Sequence, residues 1–232
     1  MSVLKLVTQN FRNLNGQAIN FHCDNNFIVG ENGSGKSSLL EAIFFLGHGK
    51  SYRTSKVNTI VNHQNTKFVV SIKDFEQRQL GISRDLVSGV TDIKVDSERQ
   101  SRLSDLAKNI AVQIVTPESF KLFFGGPKER RRFIDLGLFH VKHEFSNQWR
   151  DFSRVLKQRN ACLRSASSHS MLDYWTDIFC QQSESVARSR SEYIDQLKIE
   201  LEKWTQLLLP SLTDKITVQY LQGWHQKKKL TL

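Results

Sequence analysis

Eight consecutive residues, Gly30-Glu31-Asn32-Gly33-Ser34-Gly35-Lys36-Ser37, have the types and spacing that grip a phosphate. They match G-x-x-x-x-G-K-[ST], a pattern whose chance occurrence in a chain this long is on the order of 1%. Glycines let the backbone turn tightly and bring its N–H groups against phosphate oxygens. The helix expected after the loop offers unpaired N–H groups and the positive end of its dipole to the same anion. Lys36 has the reach for β- and γ-phosphates, and the Ser37 hydroxyl suits Mg²⁺, a hard cation that prefers oxygen. The spacing therefore predicts a nucleotide site for ATP and Mg²⁺, with Gly30, Glu31, Asn32, Gly33, Ser34, Gly35, Lys36 and Ser37 as its binding residues and Ser37 as the metal ligand.

Such a loop must be held between a strand and a helix. Phe27-Ile28-Val29 reads as a short buried strand before it, and Lys36 to Leu46 as the helix after it. Val3 to Phe11 reads as a first strand, turned by Asn10 to Gly16, with Ala18 to Phe21 as its return partner. Phe68 to Ile72, Gly89 to Val95 and Ile110 to Val115 read as further strands. Beyond Pro127 the pattern turns helical. Trp149, Phe152, Leu156 and Leu163 share one face, and Ser165 to Ser170 is a polar break. From Met171 to Leu209 there is no Gly or Pro, and apolar residues recur at helical spacing, as one helix or as two broken near Gln182 and Ser189. Ile216 to Tyr220 reads as one more strand. This divides the chain into residues 1–116 as an ATP-binding lobe, 117–209 as a mostly helical lobe, and 210–232 as the start of a return to the core.

Composition sets the partners. The 232 residues are 39% hydrophobic and 24% charged, ordinary globular values that exclude a wholly disordered chain. No apolar run approaches the length of a membrane span and the N-terminus lacks a signal-peptide stretch, so a cytoplasmic location without a membrane partner is expected. Cys23, Cys162 and Cys180 form neither a disulfide framework nor a CxxC pair. His140, His143 and Glu144 fit neither HExxH nor HxxEH. The net charge of +10 favours a polyanion such as DNA. The candidate contacts are Arg130, Arg131 and Arg132, then Arg150, Arg154, Lys157 and Arg159, with Lys128 and Arg164 nearby; Arg150, Arg154 and Lys157 share a helix face.

Five blocks carry a family resemblance. Asn10-Phe11-Arg12-Asn13-Leu14 and Gly30 to Thr54 (GENGSGKSSLLEAIFFLGHGKSYRT) resemble the ATPase heads of the SMC/ABC class, and more narrowly the RecF family. Val115 to Phe120, Gly126 to Asp135 and Leu156 to Ala161 are similar to the same family. The resemblance implies an α/β fold: a P-loop ABC/SMC-type ATPase head, incomplete, with a mostly helical second lobe. It implies ATP-dependent dimerisation, binding to single- and double-stranded DNA near gap junctions, and recombinational repair with RecO and RecR that promotes RecA loading. It places Arg12 and Asn13 beside the nucleotide, Arg53 near the γ-phosphate or DNA, and either Gln113 or Glu118 at the hinge known as the Q-loop; Glu41 itself reads as a packing or pairing residue and not a catalytic one. The chain departs from the family in having no second carboxylate motif and no signature loop, so the N-terminal two-thirds of such a protein, without hydrolysis, is expected. A small-molecule or nucleoside kinase on the same loop is the alternative, and a transporter-type ATPase subunit a third reading.

Overall fold

A computed structural model of the chain describes residues 2–16, 18–165 and 168–224, apart from the side chains of Ser104, Glu118 and Asp214. The chain forms two compact units, Met1–Thr116 and Pro117–Leu232.

The first unit is built on alternation. In β1 (Val3–Gln9), Leu6 and Thr8 point inward while Lys5, Val7 and Gln9 face out. In β3 (Lys67–Asp74), Phe68, Val70, Ile72 and Asp74 are buried and the residues between them are not. Together with β2 (Ala18–Asn20), β4 (Gln79–Asp85), β5 (Thr91–Val95) and β6 (Glu98–Gln100) they make one six-stranded sheet in the order β2-β1-β3-β4-β5-β6. Every pairing in it is antiparallel. Helix α1 (Lys36–His48) covers the apolar face with Leu39, Ala42, Phe45 and Leu46. Phe11, Phe45 and Phe68 meet edge to face, with ring centres 5.3–6.0 Å apart. Helix α2 (Leu103–Asn109) closes the core through Leu106. Gly47 and Gly49 let chain neighbours approach: a Cβ on Gly47 would lie 2.7 Å from Val112 Cγ2.

Three strand expectations fail. Phe27 to Val29 is extended but unpaired, with Phe27 and Val29 90% and 91% exposed. Ile110 to Val115 is likewise unpaired; Ile110 is buried at one end and Val115 is 85% exposed at the other. Ile216 to Tyr220 forms no strand either. An apolar run becomes a buried strand only beside a partner, and the described residues supply none for these segments. Conversely, β4, β6 and α2 were not legible, because Gly81, Arg84 and Asp85 mask the alternation of Leu80 and Ile82 in β4.

The second unit is helical. After a 3-10 turn (Pro117–Phe120) and the short α3 (Lys121–Phe124), Pro127 opens α4 (Pro127–Val141) at its first turn. Helices α5 (Phe145–Arg164) and α6 (His169–Leu208) then lie against each other. The stretch from Met171 is one helix of 40 residues that starts at His169. Its seam is narrower and more polar than the apolar stripe suggests: Thr176, Ser183, Val186, Ala187, Ser189 and Ile194 are buried, whereas Trp204 and Leu208 are exposed. Small residues allow close helix approach, and Ser189 Oγ donates to Gln148 Oε1 at 3.0 Å. On α5 the buried face carries Phe145, Val155 and Cys162, while Leu163 is exposed. Arg190 forks onto Asp135 at 2.7 and 2.9 Å and stacks over Trp149, joining α4, α5 and α6.

Candidate nucleotide-binding site

The loop leaves the unpaired segment at Gly30 and enters α1 at Gly35, whose φ of 101° only glycine adopts without strain. Gly35 offers no capping side chain, so the first N–H groups of α1 remain available to an anion. Leu39 N–H already bonds Gly35 O at 2.9 Å, which starts the helical ladder directly after them. A Cβ on Gly30 would lie 2.9 Å from Ser34 Oγ, so the loop closes on itself tightly there. The Lys36 ammonium folds back over the loop and donates to Gly30 O and Glu31 O, both at 2.6 Å. Those carbonyls are neutral acceptors, and a charged phosphate oxygen would make the stronger bond.

Asn13 braces the loop from the end of β1. Its Nδ2 donates to Gly33 O at 3.0 Å, and its Oδ1 accepts from Ser38 Oγ at 2.8 Å. Arg12, with a positive φ of 56°, is held by three bonds: Nε and Nη2 to the Glu41 carboxylate at 3.1 and 2.7 Å, and Nη1 to Thr59 O at 2.6 Å. Glu41 is fully buried. It also accepts from Ser51 Oγ at 2.5 Å and from Arg53 Nη1 at 3.3 Å. A buried carboxylate needs such partners, and here two guanidinium groups surround it. Burial, then the Glu41 charge, raises the Tyr52 phenol above its ordinary pKa. That phenol donates to Ser37 O at 3.4 Å.

Arg12, Asn13, Asn32, Gly33, Gly35, Lys36, Ser37 and Arg53 thus line one cavity of about 580 Å³ with Thr59, Asn62 and His63. That volume lies within the range of small-molecule sites. Lys36, Arg12 and Arg53 make its lining cationic, and no Asp or Glu lines it among the described residues. The donor set fits a polyphosphate, and Ser37 supplies one hydroxyl oxygen for a hard cation. Glu41 as a hub for two arginines, and the 59–63 segment as a wall, were not readable from sequence: the partners of Glu41 lie 10 to 29 positions away, and Arg12 lies 47 positions from Thr59. The only signal was that Ser51 and Arg53 fall in the Gly49 to Thr54 block.

The basic residues of the second unit are mostly tied within it. Arg130 donates to Gly125 O at 2.8 Å, Arg150 to Asn147 at 3.0 Å, and Arg154 pairs with Asp151 at 3.0 Å. Arg159 bonds Thr176 at 3.0 Å and stacks over Phe179, which joins α5 to α6. Arg131, Arg132 and Lys157 are exposed. Gln113 donates to Ile114 O at 3.1 Å, and the Glu118 side chain lies outside the described residues. All three cysteines are free thiols. No helix among the described residues is long and apolar enough to cross a membrane.

Known proteins resemble this chain in sequence and in fold. The chain is 65% identical over 230 residues to the DNA replication and repair protein RecF of Colwellia psychrerythraea, covering 99% of this chain and 61% of that protein. It is 41% identical over 237 residues to RecF of Pseudoalteromonas translucida, covering 100% of this chain and 64% of that one. The chain therefore spans about three fifths of the length of these relatives. In structure it is similar to the recombination mediator protein RecF solved with ATP, with a TM-score of 0.80 and 24% identity over 90% of this chain and 58% of that one. The same mediator solved as RecF-ATPrS matches with a TM-score of 0.81 at 24% identity, again over 90% of this chain and 58% of that one. The fold is thus that of an ABC/SMC-type ATPase head, incomplete, with an antiparallel sheet in its first unit and a mostly helical second unit. The RecF/RecN/SMC N terminal domain is matched by residues 2–120, and the chain belongs to that family.

Proposed function

We propose that this chain binds ATP with Mg²⁺ and acts as a DNA-binding protein of RecF type in DNA replication and repair. The observation that carries the reading is the cavity in which Lys36, Arg12, Arg53 and the open N-terminus of α1 converge. On binding, Lys36 would exchange two neutral carbonyl acceptors for phosphate oxygens, and the α1 amides would gain acceptors. Ser37 would hold Mg²⁺, which would neutralise phosphate charge when bound. Arg12 is anchored by three bonds, whereas Arg53 has a single long one to Glu41 and is 44% exposed. Arg53 is therefore the cation free to turn toward a terminal phosphate. Residues 1–116 form the ATP-binding lobe in this reading.

We propose a finer role as well: binding near gaps, ATP-dependent pairing of two copies, and work with RecO and RecR toward RecA loading, within recombination and the SOS response. Sequence identity of 65% to a RecF supports it. The test is Lys36→Ala. Titration with ATP should show binding lost while the thermal transition stays in place, because the ammonium rests on exposed backbone carbonyls and not in the core. Unchanged ATP affinity in the folded variant would remove the site.

A further inference from the structure

We propose that the turn His22-Cys23-Asp24 is a metal site for a borderline-soft divalent cation of the Zn²⁺ class. It takes no residue of the nucleotide cavity, and it does not depend on the reading of that cavity.

The turn follows β2 and leads to the extended segment that enters the phosphate loop. Its three side chains are exposed, and each offers a donor: His22 Nδ1, Cys23 Sγ and an Asp24 carboxylate oxygen. His22 Nδ1 lies 3.6 Å from Asp24 Oδ2 and 3.9 Å from Cys23 Sγ. All three donor atoms fall within 4.8 Å of one another. Zinc bonds of about 2.1 Å to nitrogen and oxygen, and about 2.3 Å to sulfur, place tetrahedral ligands about 3.4–3.6 Å apart. The two stated separations are within a few tenths of an ångström of that geometry. Rotation of exposed side chains closes the third.

The backbone already holds this arrangement. Asn26 grips His22 on both sides: its Oδ1 accepts from His22 N–H at 2.8 Å, and its Nδ2 donates to His22 O at 2.9 Å. Phe21 N–H donates to Leu4 O at 2.8 Å, which ties the turn to β1. Phe21 and Ile28 pack on the core at its two ends. Asp24 N–H donates to His22 Nδ1 at 3.3 Å. That bond selects the tautomer with a lone pair on Nδ1, and a metal ion takes the same lone pair. Little ordering is left for the ion to impose, so little binding free energy is lost to it.

The donor set decides the ion. Thiolate and imidazole favour Zn²⁺ over Mg²⁺ and Ca²⁺, which prefer oxygen ligands. On binding, the Cys23 thiol gives its proton to solvent, and thiolate and carboxylate together balance the charge of a divalent ion. Three protein donors leave the fourth tetrahedral position to water. The same three residues line a pocket of about 290 Å³ with Val3, Phe21, Ile28, Leu40 and Ile43. That apolar wall shields one flank of the donors, which strengthens metal–ligand attraction. Leu40 and Ile43 belong to α1, and Asp24 stands six positions before Gly30. A bound ion therefore fastens the chain that feeds the phosphate loop.

The test titrates the metal-free 232-residue chain with Co²⁺ as the spectroscopic probe, without nucleotide and in a phosphine reductant. A thiolate-to-cobalt charge-transfer band should grow and saturate at one ion per chain, and Zn²⁺ should bleach it while excess Mg²⁺ does not. Cys23→Ser should lose the band, and His22→Gln should weaken Co²⁺ binding by at least about tenfold. C162A/C180S, which removes the other two thiols, should keep the band. Zn²⁺ should raise the melting temperature of the wild type and not that of Cys23→Ser. In chelator the two should melt together, because the Cys23 side chain is exposed. A band that survives in Cys23→Ser, or wild-type binding without the band, would overturn the site. Saturation at half an ion per chain would mean ligands shared between two copies, and would overturn it as well.

Discussion

At the scale of single residues, Glu41 is the most consequential side chain outside the loop. It is fully buried and accepts from Arg12, Ser51 and Arg53, so it fixes two of the three cations that face the cavity. Removing one partner of a buried ion pair leaves the other charge without compensation. Glu41→Ala should lower stability by about 3 kcal/mol in urea unfolding. Glu41→Gln, which keeps the shape and one acceptor oxygen, should cost less. Equal stability of Glu41→Ala and wild type would show that Arg12 is held by Thr59 alone. The contrast with the loop explains what a sequence discloses at this scale. Gly30 to Ser37 are legible because their chemistry lies in adjacent positions. The Glu41 hub is not, because three stretches of chain converge on it.

At the scale of elements, helices were more legible than strands. A helix carries its pairing within itself, so α1, α6 and the helical stretch holding α4 and α5 follow from local spacing and from Pro127 and Pro210, although the break between α4 and α5 does not. A strand needs a neighbour, and Phe27 to Val29 and Ile110 to Val115 lack one among the described residues. The α5–α6 seam was partly hidden because Ser183, Ala187 and Ser189, not the large apolar residues, form its tight part. Packing of α4 on α6 turns on one position. A Cβ at Gly137 would stand 2.0 Å from Tyr193 Oη and 2.4 Å from Cζ, at the end of a rigid ring. Gly137→Ala should gain about 1 kcal/mol in helix propensity but lose more to overpacking, which costs about 1–3 kcal/mol. A net fall in melting temperature is expected. In a Tyr193→Leu background the same substitution should become neutral or stabilising, a coupling that a double-mutant cycle reads directly. Equal effects in both backgrounds would disprove the clash.

At the scale of the whole molecule, the cavity is equipped to hold a polyphosphate, but its described lining has no carboxylate to orient water or complete a Mg²⁺ shell. The purified 232-residue chain should therefore bind ATP weakly and release phosphate no faster than background, even with Mg²⁺ and gapped DNA. Multiple turnover that disappears in Lys36→Ala would place a catalytic carboxylate within these residues. Helix α6 has a different kind of consequence. It runs 40 residues without Gly or Pro, and Arg190 pins it to Asp135 near its middle. The stretch from Arg190 to Leu208 extends about 27 Å beyond that pin. That length is not a free arm: the turn Pro210–Lys215 packs back on it, Ile194 and Thr205 are buried along it, and Tyr220 returns to Arg190. The Asp135–Arg190 joint is thus a buckle that fastens the helix and the returning strap of chain together, and undoing it would slacken both at once.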